Sequence, residues 1–374
     1  MNSLYISHLS LMQFRSYSDL ALEFSPAVNC FTGINGSGKT NLLDAVHFIA
    51  LTRGFRSHQD QQAIQEGTDF CFNTATVHRE GETLAVSCNL MRGRGKKMLI
   101  NQRPLDKMSD HIGRIPLIAI LPGDTDLIHG SAGDRRSLLD QLISQYDRRY
   151  LHHLIQYERI RAQRNALLKQ FQLQRSFHED QIEIWDVQLI PNGIYLREAR
   201  AAFLESFQPV FSRFFHRIVS ESETPEIQYK TQLEDNRPEA WEALLRARRE
   251  RDRVLGYSTG GIHRDDLEFF IDGRTVREYG SQGQKKTFVI ALKLAQYELL
   301  AQRSGLPPLL LLDDLFDRLD EARLGRIAAI LDDTATGQVF ITDTSQERLA
   351  RVMSGHLGRE LRFFSVSRGQ VAAG

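Results

Sequence analysis

The sequence predicts an α/β fold: a mixed sheet with antiparallel N-terminal strands, divided by an inserted helical second domain. Three observations carry that expectation. Short, largely apolar stretches at residues 28–32, 309–312 and 339–342 alternate with helical patterns, as buried parallel strands covered by helices do. The first two dozen residues instead alternate apolar with polar positions: Leu4, Ile6, Leu9 and Leu11, then Leu20, Leu22 and Phe24, the period of half-buried antiparallel strands. Over residues 134–219 the period changes to that of long helices.

At 374 residues the chain exceeds what one core usually supports, so more than one lobe is expected. The boundaries read as an N-lobe over 1–125, a helical insertion over 126–225 and a C-lobe over 226–374. Lys+Arg and Asp+Glu are both 47. Nucleic-acid binding would therefore need a local basic patch or two paired subunits. Cys30, Cys71 and Cys88 show no C-x-x-C spacing, which suggests neither a disulfide framework nor a zinc site. No apolar run reaches the ~18 residues of a membrane span and no secretory segment follows Met1, so a cytoplasmic protein without a membrane partner is expected.

Within the N-lobe, residues 28–32 read as a strand and residues 41–46 as a helix. Between them Gly33-Ile34-Asn35-Gly36-Ser37-Gly38-Lys39-Thr40 fits G-x-x-x-x-G-K-[ST] without a mismatch. Glycines there let successive N–H groups turn inward on an anion, and the following helix adds its positive end. Lys39 would neutralise β- and γ-phosphates, and the Thr40 hydroxyl would ligate Mg²⁺. Phe14-Arg15-Ser16-Tyr17 precedes this loop, with Arg15 either touching nucleotide or capping a surface turn. Residues 51–57 follow it, with Arg53, Gly54, Phe55, Arg56 and Ser57 in a tight turn. Further strands are expected at 70–79, 84–90, 98–100 and 115–121. Residues 91–97 place Arg92, Arg94 and Lys96 among four cations, either a solvated hairpin or a DNA contact.

The insertion holds one helix through Leu154, Tyr157, Ile160, Leu167, Leu168 and Phe171, and a second over about 182–215, kinked or interrupted at Pro191-Asn192-Gly193. A helix over 241–254 carries Arg246, Arg248 and Arg249, a second DNA candidate. His263, in Gly260-Gly261-Ile262-His263-Arg264-Asp265-Asp266, has no partner histidine at ligand spacing, which points to a structural or phosphate-proximal hydrogen bond. An Asp272-Gly273 hairpin turn follows.

Gly280-Ser281-Gln282-Gly283-Gln284 opens a helix that ends at Gly305, giving a second anion site at a helix N-terminus. Leu309-Leu310-Leu311-Leu312-Asp313-Asp314 then ends an apolar strand in two carboxylates. With the phosphate loop in the same chain these become a metal ligand, Asp313, and a residue that places the attacking water, Asp314. Lys39 and Asp313 stand about 274 residues apart, so what lies between is an excursion from one sheet. The residues together describe a nucleotide hydrolase, with Lys39 and Asp314 carrying the chemistry.

The order of phosphate loop, Ser281-Gln282-Gly283-Gln284, Asp313-Asp314 and the 317–320 turn resembles an ABC-type ATPase head. With Phe14-Arg15-Ser16-Tyr17, Arg53 to Ser57, Asp134-Arg135-Arg136-Ser137-Leu138-Leu139-Asp140 and His263-Arg264-Asp265-Asp266, the chain from residue 4 to about 345 resembles the RecF family, and its head design is similar to that of SMC proteins. The resemblance implies an ATP-dependent DNA-binding recombination mediator, forming an ATP-dependent homodimer in which Ser281 and Gln284 meet the γ-phosphate held by Gly33 to Thr40 of the other subunit. It implies action with RecR and possibly RecO at single-strand gaps, in repair, replication and the SOS response. Asp314 occupies the place of the transporter glutamate, and Thr342-Asp343-Thr344 that of the switch histidine. The shorter carboxylate favours slow turnover, and the expected activity is a slow, DNA-dependent ATPase. The alternative is the ATPase subunit of a membrane transporter.

Overall fold

The computed structural model describes residues 3–55, 59–219, 223–315, 321–333, 337–354 and 358–373. By internal packing the chain divides into two compact units: Met1–Asp124, Phe214–Ser220 and Lys286–Gly374 form the first, Thr125–Arg213 and Glu221–Lys285 the second. Residues 226–285, expected in the C-lobe, thus pack with the helical unit, because their short strands and helix find their apolar partners there.

The first unit holds two six-stranded sheets. One is antiparallel, in the order Tyr17–Glu23, Leu4–Phe14, Phe70–Arg79, Glu82–Met91, Gly95–Ile100, Arg103–Pro104. The other runs Gln370–Ala373, Leu361–Ser367, Val28–Thr32, Val339–Asp343, Leu309–Leu312, Leu117–Ile120, parallel except for its last hairpin strand. The antiparallel N-terminal strands therefore build a sheet of their own, and the C-terminal hairpin makes the second sheet mixed. Val28–Thr32, Leu309–Leu312 and Val339–Asp343 are buried at every position, which is why their sequences do not alternate.

A common core joins the sheets. Ile6, Leu9 and Leu11 from one and Phe31, Leu311, Phe340 and Phe364 from the other enclose the helix Lys39–Leu51, whose residues from Leu42 to Leu51 are all buried. Gln338 adds a polar seam: its amide donates to the carbonyls of Ile6 at 2.7 Å and Ser25 at 2.8 Å and accepts from the Ile6 N–H at 2.7 Å. A buried amide with its hydrogen bonds made fixes the relation of the sheets more tightly than apolar packing alone. Cys30, Cys71 and Cys88 are buried and free, and burial pushes each thiol up to about 12.

In the second unit, helices Ala132–Tyr146, Arg148–Gln174 and Glu179–Ile218 accompany Pro238–Leu255 and a three-stranded sheet of Pro225–Lys230, Asp266–Ile271 and Arg274–Thr275. Glu179–Ile218 is continuous through Pro191 and Pro209, so of the expected kink or interruption the interruption is absent. Gly193 serves packing there: a Cβ on it would stand 2.3 Å from the Trp241 ring, which is fully buried. Asp272 and Gly273 both adopt positive φ, 50° and 74°, the two-residue turn their sequence demands.

Charged side chains order this unit. Arg164, fully buried, donates to Asp186 and Asp252 at 2.7 Å each and to the Ser258 hydroxyl at 2.9 Å. Asp252 Oδ1 accepts from the Thr259 N–H and hydroxyl at 2.8 and 2.6 Å. Two stretches distant in sequence prove to be partners: Arg135 grips Asp266 at 2.7 and 2.9 Å, and Arg136 donates to the Asp265 carbonyl at 2.6 Å. Asp140 accepts from Arg200 at 2.8 Å and from the Tyr150 hydroxyl. His263 bonds the Tyr157 hydroxyl and the Ser258 carbonyl, both at 3.0 Å, and desolvation pushes its pKa down to about 3. Its role is structural. Among the described residues no helix is long and apolar enough to cross a membrane.

Candidate nucleotide site

The strand Val28–Thr32 delivers the chain into the phosphate loop, and Lys39–Leu51 leaves it. Gly33, Gly36 and Gly38 have φ of 155°, 80° and 115°. At Gly38 a side chain would also collide with Tyr17, whose oxygen is 2.7 Å from where a Cβ would stand. The Tyr17 hydroxyl donates to the Gly38 carbonyl at 3.0 Å, and burial holds that phenol above its ordinary pKa. Asn41 donates to the Ser16 hydroxyl at 2.8 Å. Phe14-Arg15-Ser16-Tyr17 is thus the turn that braces the loop from one side.

Arg15 itself faces the protein. Its Nε and Nη2 reach Asp44 Oδ2 at 2.6 and 2.5 Å. Asp44 is fully buried on the loop helix, and its other oxygen accepts the Phe55 N–H at 2.7 Å. Gly54 is required beside it, since a Cβ there would stand 2.8 Å from that carboxylate. Both readings of Arg15, nucleotide ligand and solvent-facing turn cation, give way to a buttress joining the strand turn, the loop helix and the turn after it. Arg56 and Ser57 lie outside the described residues.

Lys39 is buried, and its ammonium donates to the carbonyls of Gly33 at 2.8 Å and Ile34 at 3.1 Å. Thr40 Oγ1 donates to Asp313 Oδ1 at 3.0 Å, bringing together residues 273 positions apart. The same oxygen of Asp313 accepts from the Thr342 hydroxyl at 2.8 Å, and Thr342 in turn accepts the Asp314 N–H at 2.9 Å. Asp314 has φ 45°, uncommon outside glycine, and that turn separates its direction from that of Asp313. The neighbouring Asp343 accepts from the Ser345 N–H and from Arg348, each at 2.7 Å, while its carbonyl accepts the Gly33 N–H at 3.3 Å. Thr342 therefore ties its own strand end to that of Leu309–Leu312 beside the loop. Sequence reasoning named Tyr17 and Thr342 only within their motifs, without these contacts, and gave Asp44 no part at the site. Only Asp44, a carboxylate among apolar residues one turn past Lys39, left a readable signal. Residues 317–320, expected to form the turn after Asp314, lie outside the described residues.

In the second unit Ser281 and Gln284 form a reciprocal cap at the start of Gln282–Ser304. The Ser281 N–H donates to Gln284 Oε1 at 2.8 Å, and the Gln284 N–H to the Ser281 hydroxyl at 3.2 Å. The Gln284 amide also donates to Glu223 at 2.7 Å. Ser281 is exposed.

The six candidate DNA cations separate into two groups. Lys96 is committed to the Asp60 carboxylate at 2.6 Å and the Thr52 carbonyl. Arg249 is held by Glu179 at 3.0 Å and Asp186 at 3.4 Å, with only 12 % of its side chain exposed. These two are corrected to structural cations: the spacing that marked them as a patch also suits pairing with acids distant in sequence. Arg92, which donates to the Thr68 carbonyl, is exposed, as are Arg94 and Arg246, and Arg248 is half-buried.

A Gly-rich loop ending in Lys39-Thr40 after a central parallel strand, a carboxylate at the end of a nearby strand and a capped Ser-Gln turn opening a long helix are the features of a P-loop ATPase head of the ABC type. The model of the RecF/RecN/SMC N terminal domain matches residues 5–358. "DNA replication and repair protein RecF" of Flavobacterium johnsoniae is 40 % identical over 350 residues, 94 % of this chain and 97 % of that protein. The protein of the same description from Parabacteroides distasonis is 38 % identical, covering 98 % of each. Among solved structures, "the recombination mediator protein RecF-ATP in RecFOR pathway" aligns with TM-score 0.89 and 26 % identity over 100 % of this chain and 98 % of that one. An Smc head domain from Pyrococcus furiosus shares the fold at TM-score 0.58 and 17 % identity, covering 99 % of this chain and 96 % of that one. The chain belongs to the RecF family, which sets aside the transporter-subunit alternative.

Proposed function

We propose that this protein is an ATP-dependent DNA-binding recombination mediator. It binds ATP at Gly33 to Thr40, pairs with a second copy whose Ser281 and Gln284 reach the same γ-phosphate, and in that state grips single-stranded or gapped DNA to help load a recombinase. RecR and RecO are the expected partners, and repair, replication restart and the SOS response the expected settings. The relatives' description as replication and repair proteins, and the solved relative in its ATP form, support this reading.

The observation that carries it is the 3.0 Å link between Thr40 and Asp313. Two hard oxygen donors converge at the loop's end, a set that suits Mg²⁺. Thr40 and Asp313 would hold the ion, which when bound neutralises charge on the phosphates. Lys39 exchanges its loop carbonyls for phosphate oxygens, and Asp314 orients and deprotonates the attacking water. A carboxylate one methylene shorter than glutamate reaches that water less well, which supports slow turnover, raised by DNA. Ser281 supports the paired state. Its oxygen accepts from its own helix, leaving the hydroxyl proton for an outside acceptor.

Light scattering tests the coupling. Native protein with ATP should give dimers, while Lys39→Ala with ATP, and native protein with ADP, should give monomers. Dimers under all three conditions would refute it.

A further inference from the structure

The C-terminal hairpin, Leu361–Ser367 paired with Gln370–Ala373, ends in the two-residue turn Arg368-Gly369. Its tip rests on the phosphate loop. The Gly369 N–H donates to the Ser37 carbonyl at 3.4 Å, and a Cβ on Gly369 would stand 2.6 Å from the Ser16 carbonyl oxygen. A Cβ on Gly33 would stand 2.2 Å from the Val366 carbonyl oxygen. Ser37 is consequently only 4 % exposed, although Ile34, Asn35 and Gly36 beside it are exposed. The hairpin is a wall of the loop.

Strand order says which wall. Leu361–Ser367 pairs with Val28–Thr32 on one edge, while Val339–Asp343 pairs on the other edge with Leu309–Leu312 beyond it. Thr40 and Asp313, which would hold the metal at the γ-phosphate, meet towards the second edge. The nucleoside end then emerges away from Asp313, on the flank of Ser16 and the hairpin tip.

Arg368 holds φ 46° and Gly369 φ 77°. Such a turn accommodates Asn, Asp or Gly at lower cost than arginine. The Arg368 side chain is exposed and makes no hydrogen bond or ion pair among the described residues. A strained position occupied by an unpartnered cation at the rim of an anion-binding loop motivates a functional assignment.

We propose that Arg368 is a nucleotide-binding residue that contacts the nucleoside and α-phosphate end, the portion common to ATP and ADP. The assignment rests on the loop being an ATP site. It makes the hairpin a determinant of affinity and leaves sensing of the γ-phosphate to Ser281 and Gln284.

Titration of the full-length protein with fluorescent ATP and ADP tests it. Arg368→Ala should weaken both nucleotides by the same factor, about tenfold, as expected for loss of one charge-assisted hydrogen bond. KM for ATP should rise in step while kcat holds, and Arg368→Lys should recover part of the affinity. Arg368→Asn separates binding from folding: asparagine suits the turn better, yet affinity should fall as in the alanine variant. Unchanged affinity in the alanine and asparagine variants would overturn the assignment, as would loss confined to ATP. Native protein that binds neither nucleotide would instead overturn the reading of the loop.

Discussion

Replacing Arg15 by alanine should cost the first unit more than its place on a surface turn suggests. The guanidinium supplies both short contacts to Asp44 Oδ2, and Asp44 has no exposed side-chain surface. After the substitution the carboxylate keeps the Phe55 N–H on its other oxygen and loses its counter-charge. Removing one partner of a buried ion pair costs about 3–5 kcal/mol. The loss falls on the helix Lys39–Leu51, one turn beyond Lys39 and Thr40, so the loop loosens with it. Both tryptophans, Trp185 and Trp241, lie in the second unit, so intrinsic fluorescence would miss the effect. Hydrogen exchange reads it directly: amides of residues 42–51 should lose about two to three and a half orders of magnitude of protection, the equivalent of that free energy. Arg15→Met with Asp44→Leu removes both charges and should recover most of the protection, since apolar replacement of a whole buried pair is often neutral. Protection unchanged within about threefold in Arg15→Ala, or a double variant no better than the single one, would refute the buttress.

Three further outcomes follow from the geometry. Asp314→Asn should leave ATP affinity within about twofold and lower single-turnover hydrolysis by at least about a hundredfold, the usual contribution of a general base; equal loss of both would place Asp314 in binding instead. His47 and His111 donate to the carbonyls of Arg53 at 2.6 Å and Ile49 at 2.7 Å, and burial pushes each down to about 4 from 6.5. The unfolded chain therefore binds protons that the folded one refuses, so stability is full above about pH 6.5 and falls towards pH 4, by roughly 1.4 kcal/mol per pH unit for each histidine. Urea titrations of His47→Gln with His111→Gln should show a flatter slope in that window, and an unchanged slope would sink the assignment. For DNA, Arg92→Glu with Arg94→Glu should be set against Arg246→Glu with Arg248→Glu across a salt series: the patch that meets phosphate loses salt dependence, by about one unit of slope per contact. Lys96→Ala and Arg249→Ala should lower stability without changing the salt slope.

The phosphate-loop candidate was legible in the sequence because its pattern is local. Glycines at 33, 36 and 38 with Lys39 and Thr40 fall within eight residues, and an apolar run ending in carboxylates is the strand expected beside such a loop. The uninterrupted apolar strands and the alternating N-terminal ones were legible for the same reason, since burial on two faces or one is written in the residues themselves. What failed to show depends on partners distant in sequence. Residues 91–97 and the helix Pro238–Leu255 both carry dense runs of cations, but Asp60 and Glu179 decide which of those cations are already neutralised. Pro191 and Gly193 together read as a kink or an interruption, yet Glu179–Ile218 is uninterrupted, and Trp241 fills the space that the glycine leaves.

The same dependence accounts for the boundary at 226. A strand of six residues such as Pro225–Lys230 has no allegiance of its own; its register with Asp266–Ile271 assigns it. That pairing in turn places Asp265 and Asp266 where Arg136 and Arg135 meet them. Two stretches that resembled separate marks of a family, residues 134–140 and 263–266, are therefore one ion-paired assembly within the second unit. Since Arg135 and Asp266 each satisfy the other, neither is available as a primary DNA contact. The proposed nucleic-acid contact is therefore sought among cations outside this assembly, and the salt series is directed at Arg92, Arg94, Arg246 and Arg248.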